Sequence, residues 1–268
     1  MKVLDKVIVV SGGGSGMGRE LVLLLLKKGA RVAAVDINPV SLKETISLAG
    51  EIGNLVSSHV VDITDKTAVD ALPEKVIAAH GAVDGLINNA GIIQPFVRIN
   101  DLEFDAIDRV LKINLYGLIY MTKAFLPHLL KRPVAHIINT SSMGGYLPVP
   151  GQTIYGASKA AAKLFSEGLN SELLNSNVRV SVVFPGAIET NIAVNSGVSI
   201  GAPENAESSS MPTTPADKAA EIIVDGIEKD SYHIMVGSDA KLMNFLVRLN
   251  PKGAAKFIYK QMASLLPD

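Results

Sequence analysis

The chain has 268 residues, enough for one large α/β domain or two small ones with a substantial buried core. Its 25 basic and 26 acidic residues nearly cancel, which excludes a global electrostatic footprint for nucleic acid or for an anionic membrane. Cysteine is absent, which excludes disulfides, a thiol nucleophile and thiolate metal sites and suits a reducing, cytoplasmic compartment.

The amino terminus, MKVLDKVIVVSGGG, is too short and too interrupted by charge to read as a signal peptide. A first strand, Lys6 to Val10, runs into SGGGSGMGRE, which places Gly12, Gly16 and Gly18 ahead of a helix beginning near Met17. Glycines at such a point let backbone N–H groups approach a pyrophosphate, and the helix start adds partial positive charge. The spacing is Gly-x-x-x-Gly-x-Gly, neither the common dinucleotide fingerprint nor a nucleotide-triphosphate loop, because Arg19 and Glu20 follow Gly18 where Lys and Ser or Thr are required. Leu21 to Leu26 is only six apolar residues before Lys27 and Lys28, far short of the roughly 20 needed to span a bilayer.

Asp36 ends a second strand, Arg31 to Val35, where an acidic residue would meet the adenosine ribose. Its charge would repel a 2′-phosphate, and neither Ser15 nor Ile37 nor Asn38 supplies a compensating cation, so NAD is favoured over NADP. Asp62 follows the third strand, Leu55 to Val61, and is read either as a partner for the adenine amino group or as the N-cap of a helix from Asp65. Strands at Gly85 to Asn88, Ala135 to Asn139, Arg179 to Phe184 and His233 to Val236 complete a set of seven that alternate with helical segments. That alternation predicts a doubly wound, seven-stranded parallel sheet covered by helices on both faces, in one domain spanning 1–268. A stretch rich in Ser, Gly, Pro and Asn, within about 191–215, reads as a mobile substrate loop. The histidines, His59, His80, His128, His136 and His233, have no metal-ligand spacing, so no metal site is expected.

Tyr155 and Lys159 lie four apart in YGASKAAAKLF, thirteen residues after Ser142. That spacing puts phenol and ammonium on one helix face, where the charge would favour the phenolate and suit Tyr155 to general acid or base work.

Together these features resemble the short-chain dehydrogenase/reductase family. The resemblance rests on SGGGSGMG, NNAG at Asn88 to Gly91, Asn114 within LKINLYG, SSMGG at Ser141 to Gly145, YGASK at Tyr155 to Lys159 and PGAIET at Pro185 to Thr190. Ser11 stands where the family more often has Thr. The resemblance implies Tyr155 as the catalytic acid/base. Lys159 would lower its pKa and hold the nicotinamide ribose, Ser142 would polarise the substrate oxygen, and Asn114 would hold a water linking Lys159 to solvent. Gly12, Gly16 and Gly18 would line the pyrophosphate. Asn89 and Ala90 would flank the adenosine and inner ribose, and Ile188 with Thr190 would meet the carboxamide. Ser15, Met17, Ile63, Gly91, Pro185 and Gly186 belong to the same cofactor-binding set, and a homodimer or homotetramer is implied.

Residues expected around the substrate, Gln94 to Phe96, Met143 to Tyr146, Gln152 and the segment after Thr190, are mostly apolar with two amides, which points to a neutral, fairly apolar alcohol or ketone. The carboxyl-terminal extension, about 238–268, carries Lys241, Arg248, Lys252, Lys256 and Lys260, with Leu242, Phe245, Leu246 and Leu249 at helical spacing. Such a tail can touch a membrane surface, but packing on the parent domain, a partner subunit or the active-site mouth is the favoured reading. The functional reading is an NAD-dependent oxidoreductase; the alternative is a non-catalytic dinucleotide-binding redox sensor.

Overall fold

The computed structural model describes residues 1–198, 213–263 and 266. Seven parallel strands form one sheet: β1 (Val7–Ser11), β2 (Arg31–Asp36), β3 (Val56–Val60), β4 (Gly85–Asn88), β5 (Ala135–Thr140), β6 (Val178–Pro185) and, last in the chain, β9 (His233–Val236). Their spatial order is β3-β2-β1-β4-β5-β6-β9. The winding reverses between β1 and β4, which opens a crevice beyond the carboxyl ends of those strands. All residues of β1, β4 and β5 are buried, as expected for strands covered on both faces. The expected strands are therefore present, with no end shifted by more than one residue.

One face of the sheet carries α1 (Gly16–Lys27), α2 (Pro39–Ala49) and α9 (Ala216–Glu228). In α1 the buried residues Leu21, Val22, Leu25 and Leu26 form a single stripe at helical spacing. The other face carries α3 (Lys66–Asp70), α4 (Leu72–His80), α6 (Leu118–Leu129) and α7 (Thr153–Glu172), with α5 (Phe104–Leu111) running into α6 through a π-helical turn, Lys112–Gly117. A small parallel pair, β7 (Ile188–Glu189) with β8 (Thr214–Pro215), brackets α8 (Ile192–Ser196). Residues 199–212 of the expected mobile loop lie outside the described residues.

The extension forms two helices, α10 (Ser238–Leu249) and α11 (Pro251–Met262). Met243, Ala254 and Ile258 pack with Leu147 in a separate apolar cluster, joined by Met143 and Tyr146. The Tyr146 hydroxyl donates to Ala240 O at 2.7 Å. The inner side of the extension thus packs on the parent fold beside the turn that follows Ser142. Among the described residues, no helix is long and apolar enough to cross a membrane.

His136 on β5 is fully buried, and its Nε2 pairs with Ser181 Oγ on β6 at 2.8 Å. Burial holds the imidazole neutral and pushes its pKa from 6.5 down to about 4. Across that window the unfolded chain binds the additional proton. The contribution to stability is complete above the unfolded pKa and is lost as pH falls towards the folded one, by about 3 kcal/mol in all. The melting temperature should therefore fall as pH drops through this window, and less steeply in His136→Gln. Parallel curves for the two proteins would remove His136 as the cause.

Candidate active site

The turn after β1 brings the backbone close to itself. Gly12 and Gly16 have φ of +70° and +51°, in the left-handed region that glycine tolerates. At Gly18 a Cβ would lie 1.9 Å from Gly12 O, so helix and turn approach more closely than any side chain allows. Ser15 is the N-cap of α1 without a side-chain bond to the first turn; its Oγ accepts from Asn195 Nδ2 at 2.9 Å. Arg19 is engaged elsewhere: its guanidinium donates to Gly14 O at 2.7 and 3.1 Å and also reaches Thr45 and Glu44. Ser11 fixes the opposite wall, since its hydroxyl accepts from the N–H groups of Asn89 and Ala90 at 3.1 and 3.2 Å.

Asp36 sits at the rim of this turn, where Oδ2 accepts from Gly14 N–H at 3.0 Å and Oδ1 from Asn38 N–H at 3.0 Å. Asp62 is not a helix cap. Asp65 caps α3 by accepting from Thr67 and Ala68, whereas Asp62 Oδ1 accepts from the Thr64 N–H and hydroxyl, both at 2.8 Å. The shorter reach to i+2 closes a turn of its own, which leaves Asp62 on the cleft wall.

At the far end, Ser142 Oγ accepts from Gly144 N–H at 3.0 Å, capping a 3₁₀ turn at Met143–Gly145, and Ser142 lines the cleft together with Tyr155. Ser141 donates to Lys159 O at 2.7 Å and so locks α7 to the end of β5. Lys159 is buried, with Nζ donating to Thr140 O at 3.0 Å and lying 5.9 Å from the centre of the Tyr155 ring. Burial pushes the Lys159 pKa down to about 8. Burial also raises the Tyr155 pKa, with the Ser142 side chain acting in the opposite direction. The net direction is opposite to the one the Tyr155–Lys159 spacing suggests, because desolvation is the larger cause and the ammonium donates to a main-chain carbonyl.

Asn114 occupies the π-helical turn and is buried. Its Oδ1 accepts from Ile92 N–H at 2.9 Å, and its Nδ2 donates to Ile92 O at 2.9 Å and to Ser158 Oγ at 3.1 Å. The side chain therefore ties the loop after β4 to α7, while Oδ1 keeps a second lone pair and lies, like Lys159 Nζ, close to Gly91, 3.2 and 3.0 Å respectively from where a Cβ would stand. Gln94 and Gln152 depart from expectation. Gln94 is fully buried: Oε1 accepts from the N–H groups of Ile154 and Tyr155 at 2.8 and 3.0 Å, and Nε2 donates to Gly151 O at 2.9 Å. Gln152 Nε2 donates to Gln94 O at 2.8 Å. Two amides expected near substrate instead clamp the start of the helix that carries Tyr155, satisfying N–H groups that have no partner within the helix.

One cleft of about 670 Å³ joins these parts. Its wall includes Gly12, Ser15, Gly16, Met17 and Gly18 from the turn, Asp36, Asp62 and Ile63 from the strand ends, and Asn89, Ala90 and Gly91 after β4. Ser142, Tyr155, Lys159, Pro185, Gly186, Ile188 and Thr190 continue it. Of the predicted catalytic and cofactor-binding residues only Asn114 is off the wall, and of Gln94 to Phe96, Met143 to Tyr146 and Gln152 only Phe96 is on it. Asn191, Ile192 and Asn195 of the α8 region also line the cleft, in the segment after Thr190 that the sequence placed near the substrate.

A family model described as short chain dehydrogenase matches residues 6–199. The chain belongs to the short-chain dehydrogenase family. The SadH protein of Mycobacterium tuberculosis is 35% identical over 268 residues, covering 98% of this chain and 97% of that relative. A crystal structure of a family member from Burkholderia phymatum in complex with NAD superposes with a TM-score of 0.81 at 25% identity, covering 93% of this chain and 96% of the other. One from Burkholderia cenocepacia in complex with NADP has the same fold, with a TM-score of 0.80 at 24% identity and coverage of 96% and 99%. In this short-chain dehydrogenase the glycine turn, the start of α1 and the Asp36 carboxylate lie together on one stretch of the cleft wall.

Proposed function

We propose that the protein is an NAD-dependent oxidoreductase that moves hydride between nicotinamide and a neutral, fairly apolar secondary alcohol or ketone. The observation that carries this reading is the single cleft running from the glycine turn to Ser142, Tyr155 and Lys159. The dinucleotide supplies the hydride. In the reductive direction Ser142 and Tyr155 donate hydrogen bonds to the substrate oxygen, and the Tyr155 O–H proton passes to that oxygen as negative charge develops. Oxidation runs the same proton transfer in reverse. Lys159 holds the ribose hydroxyls and restores charge balance beside the phenol. Gln94 and Asn114 act at one remove, by fixing α7 and the loop opposite it.

Two features support NAD over NADP. The Asp36 carboxylate on the cleft wall would repel a 2′-phosphate bound beside it, and Lys159 is the sole Lys or Arg among the described residues lining the cleft. Arg19, the nearest candidate cation in the glycine turn, is tied to Gly14, Thr45 and Glu44. Asp36→Asn keeps an oxygen for Gly14 N–H and removes the charge, so it should shift relative affinity towards NADP by about tenfold or more. Titration of both dinucleotides into wild type and variant checks this, and tighter NADP binding by the wild type would overturn the Asp36 argument. The apolar wall at Ile92, Ile93, Phe96 and Ile192 supports an uncharged substrate. The test is an absorbance screen near 340 nm, where reduced nicotinamide absorbs, across secondary alcohols and ketones. Dinucleotide binding without turnover of any member would defeat the enzymatic reading.

A further inference from the structure

The extension packs through one side only. On α10 the buried residues are Asp239, Ala240 and Met243, and on α11 they are Ala254 and Ile258. The opposite sides carry large apolar residues in water: Leu242, Phe245, Leu249, Phe257 and Tyr259 are between 44% and 67% exposed. On α10 the three apolar residues follow i, i+3, i+7 spacing and so form one stripe. Beside it stand Lys241 and Arg248, both exposed. On α11, Lys252, Lys256 and Lys260 recur every four residues down the exposed side, flanked by Phe257 and Tyr259.

The charge of this surface is one-sided. From residue 238 onward the one acidic side chain among the described residues is Asp239, which is buried and accepts from Ala187 N–H at 2.7 Å. None of the five cations forms an ion pair with a carboxylate among the described residues. The rest of the molecule does not share this bias, since the whole chain has a net charge of −1. An outward face that combines five unpaired cations with exposed Leu, Phe and Tyr has the composition of a helix pair lying in a membrane interface. There, apolar side chains enter the acyl boundary while flexible Lys and Arg stems carry their charges back to the headgroups.

We infer that the outer face of α10 and α11 is a docking surface for an anionic lipid bilayer. A second copy of the chain is a poorer occupant. A symmetric contact through this face sets the lysine row against itself, so self-association is opposed by the feature that favours anionic headgroups. The inner face of the same helix pair touches Met143, Tyr146 and Leu147, directly after Ser142, so a bilayer bound outside would lie next to the active-site turn. The inference does not rest on which alcohol or ketone is the substrate.

Co-sedimentation of the full chain with extruded vesicles tests it, using phosphatidylcholine alone and phosphatidylcholine mixed with phosphatidylserine. Wild type should partition onto the anionic vesicles at low salt, release as salt is raised, and bind the neutral vesicles much more weakly. The combined Lys252→Glu, Lys256→Glu and Lys260→Glu variant should lower partitioning by about a hundredfold or more. Combined Leu242→Ser, Phe245→Ser and Leu249→Ser should lower it by at least about tenfold with the salt dependence retained. All these side chains are exposed, so melting temperature and dinucleotide binding should match wild type. Absence of binding to anionic vesicles at low salt, or binding untouched by the charge reversal, overturns the inference. A charge reversal that changes only the sedimentation velocity of the free protein assigns the face to subunit contact and overturns it equally.

Discussion

Tyr155→Phe should lower turnover by about a thousandfold while leaving NAD affinity within a few-fold of wild type. The substitution removes one oxygen and keeps the ring. Lys159 is held by Thr140 O, not by the phenol, so its position survives. The α7 start is held by Gln94 through backbone N–H groups, so the local helix survives as well. What is lost is the proposed proton donor and one of the two hydrogen bonds proposed to reach the reacting oxygen, interactions that would strengthen as charge develops there. The measurement pairs steady-state turnover with calorimetric titration of the dinucleotide. Retention of more than about a tenth of the wild-type rate would show that the proton comes from another group, and a parallel loss of NAD binding would make the effect structural.

The pKa shifts add a condition to this chemistry. Burial raises Tyr155 and lowers Lys159 to about 8, so each group is biased towards its neutral form. A phenol biased in that way is suited to giving up its proton when an alkoxide forms beside it, and less suited to standing as a phenolate. Four-residue spacing alone suggested the opposite shift. Spacing conveys that two side chains share a helix face, but not that the ammonium at its end selects a main-chain carbonyl on the neighbouring strand.

The same distinction separates what the sequence disclosed from what it concealed. Strand alternation, the glycine turn and Asp36 are legible because each depends on local chain geometry: period, φ, and the position of a strand end. Gln94, Gln152 and Asn114 were visible as residues but not as clamps. Their partners are backbone groups 22 to 61 positions away, and nothing in composition marks which N–H a buried amide will find. Asp62 and Asp65 illustrate the limit at short range, for both are plausible caps and only the fold decides that α3 begins at Lys66. The two-sided character of the extension was legible as mixed apolar and basic spacing. Which residues face inward became clear only from the cluster around Leu147.

Gly18→Ala should weaken dinucleotide binding by at least about a hundredfold and lower the melting temperature by about 3–10 °C. A Cβ at this position lies 1.9 Å from Gly12 O, 2.7 Å from Gly12 C and 2.7 Å from Asn89 Nδ2. Two of those contacts are main chain, so rotating a side chain away does not relieve them. Gly12 cannot retreat easily, because it follows β1 in the interior of the sheet, between β2 and β4, and its neighbour Ser11 holds Asn89 and Ala90. Nor can α1, whose Leu21, Val22, Leu25 and Leu26 are buried in the core. The turn must distort, and the N–H groups proposed to face the pyrophosphate move with it. Gly168→Ala on α7 is the matched control, since a Cβ there meets nothing within 4 Å. It should leave binding unchanged and hold or slightly raise stability, because alanine loses less conformational freedom than glycine on entering a helix. Equal behaviour of the two variants in titration and thermal melts would show that the close approach of Gly18 to Gly12 has no functional consequence.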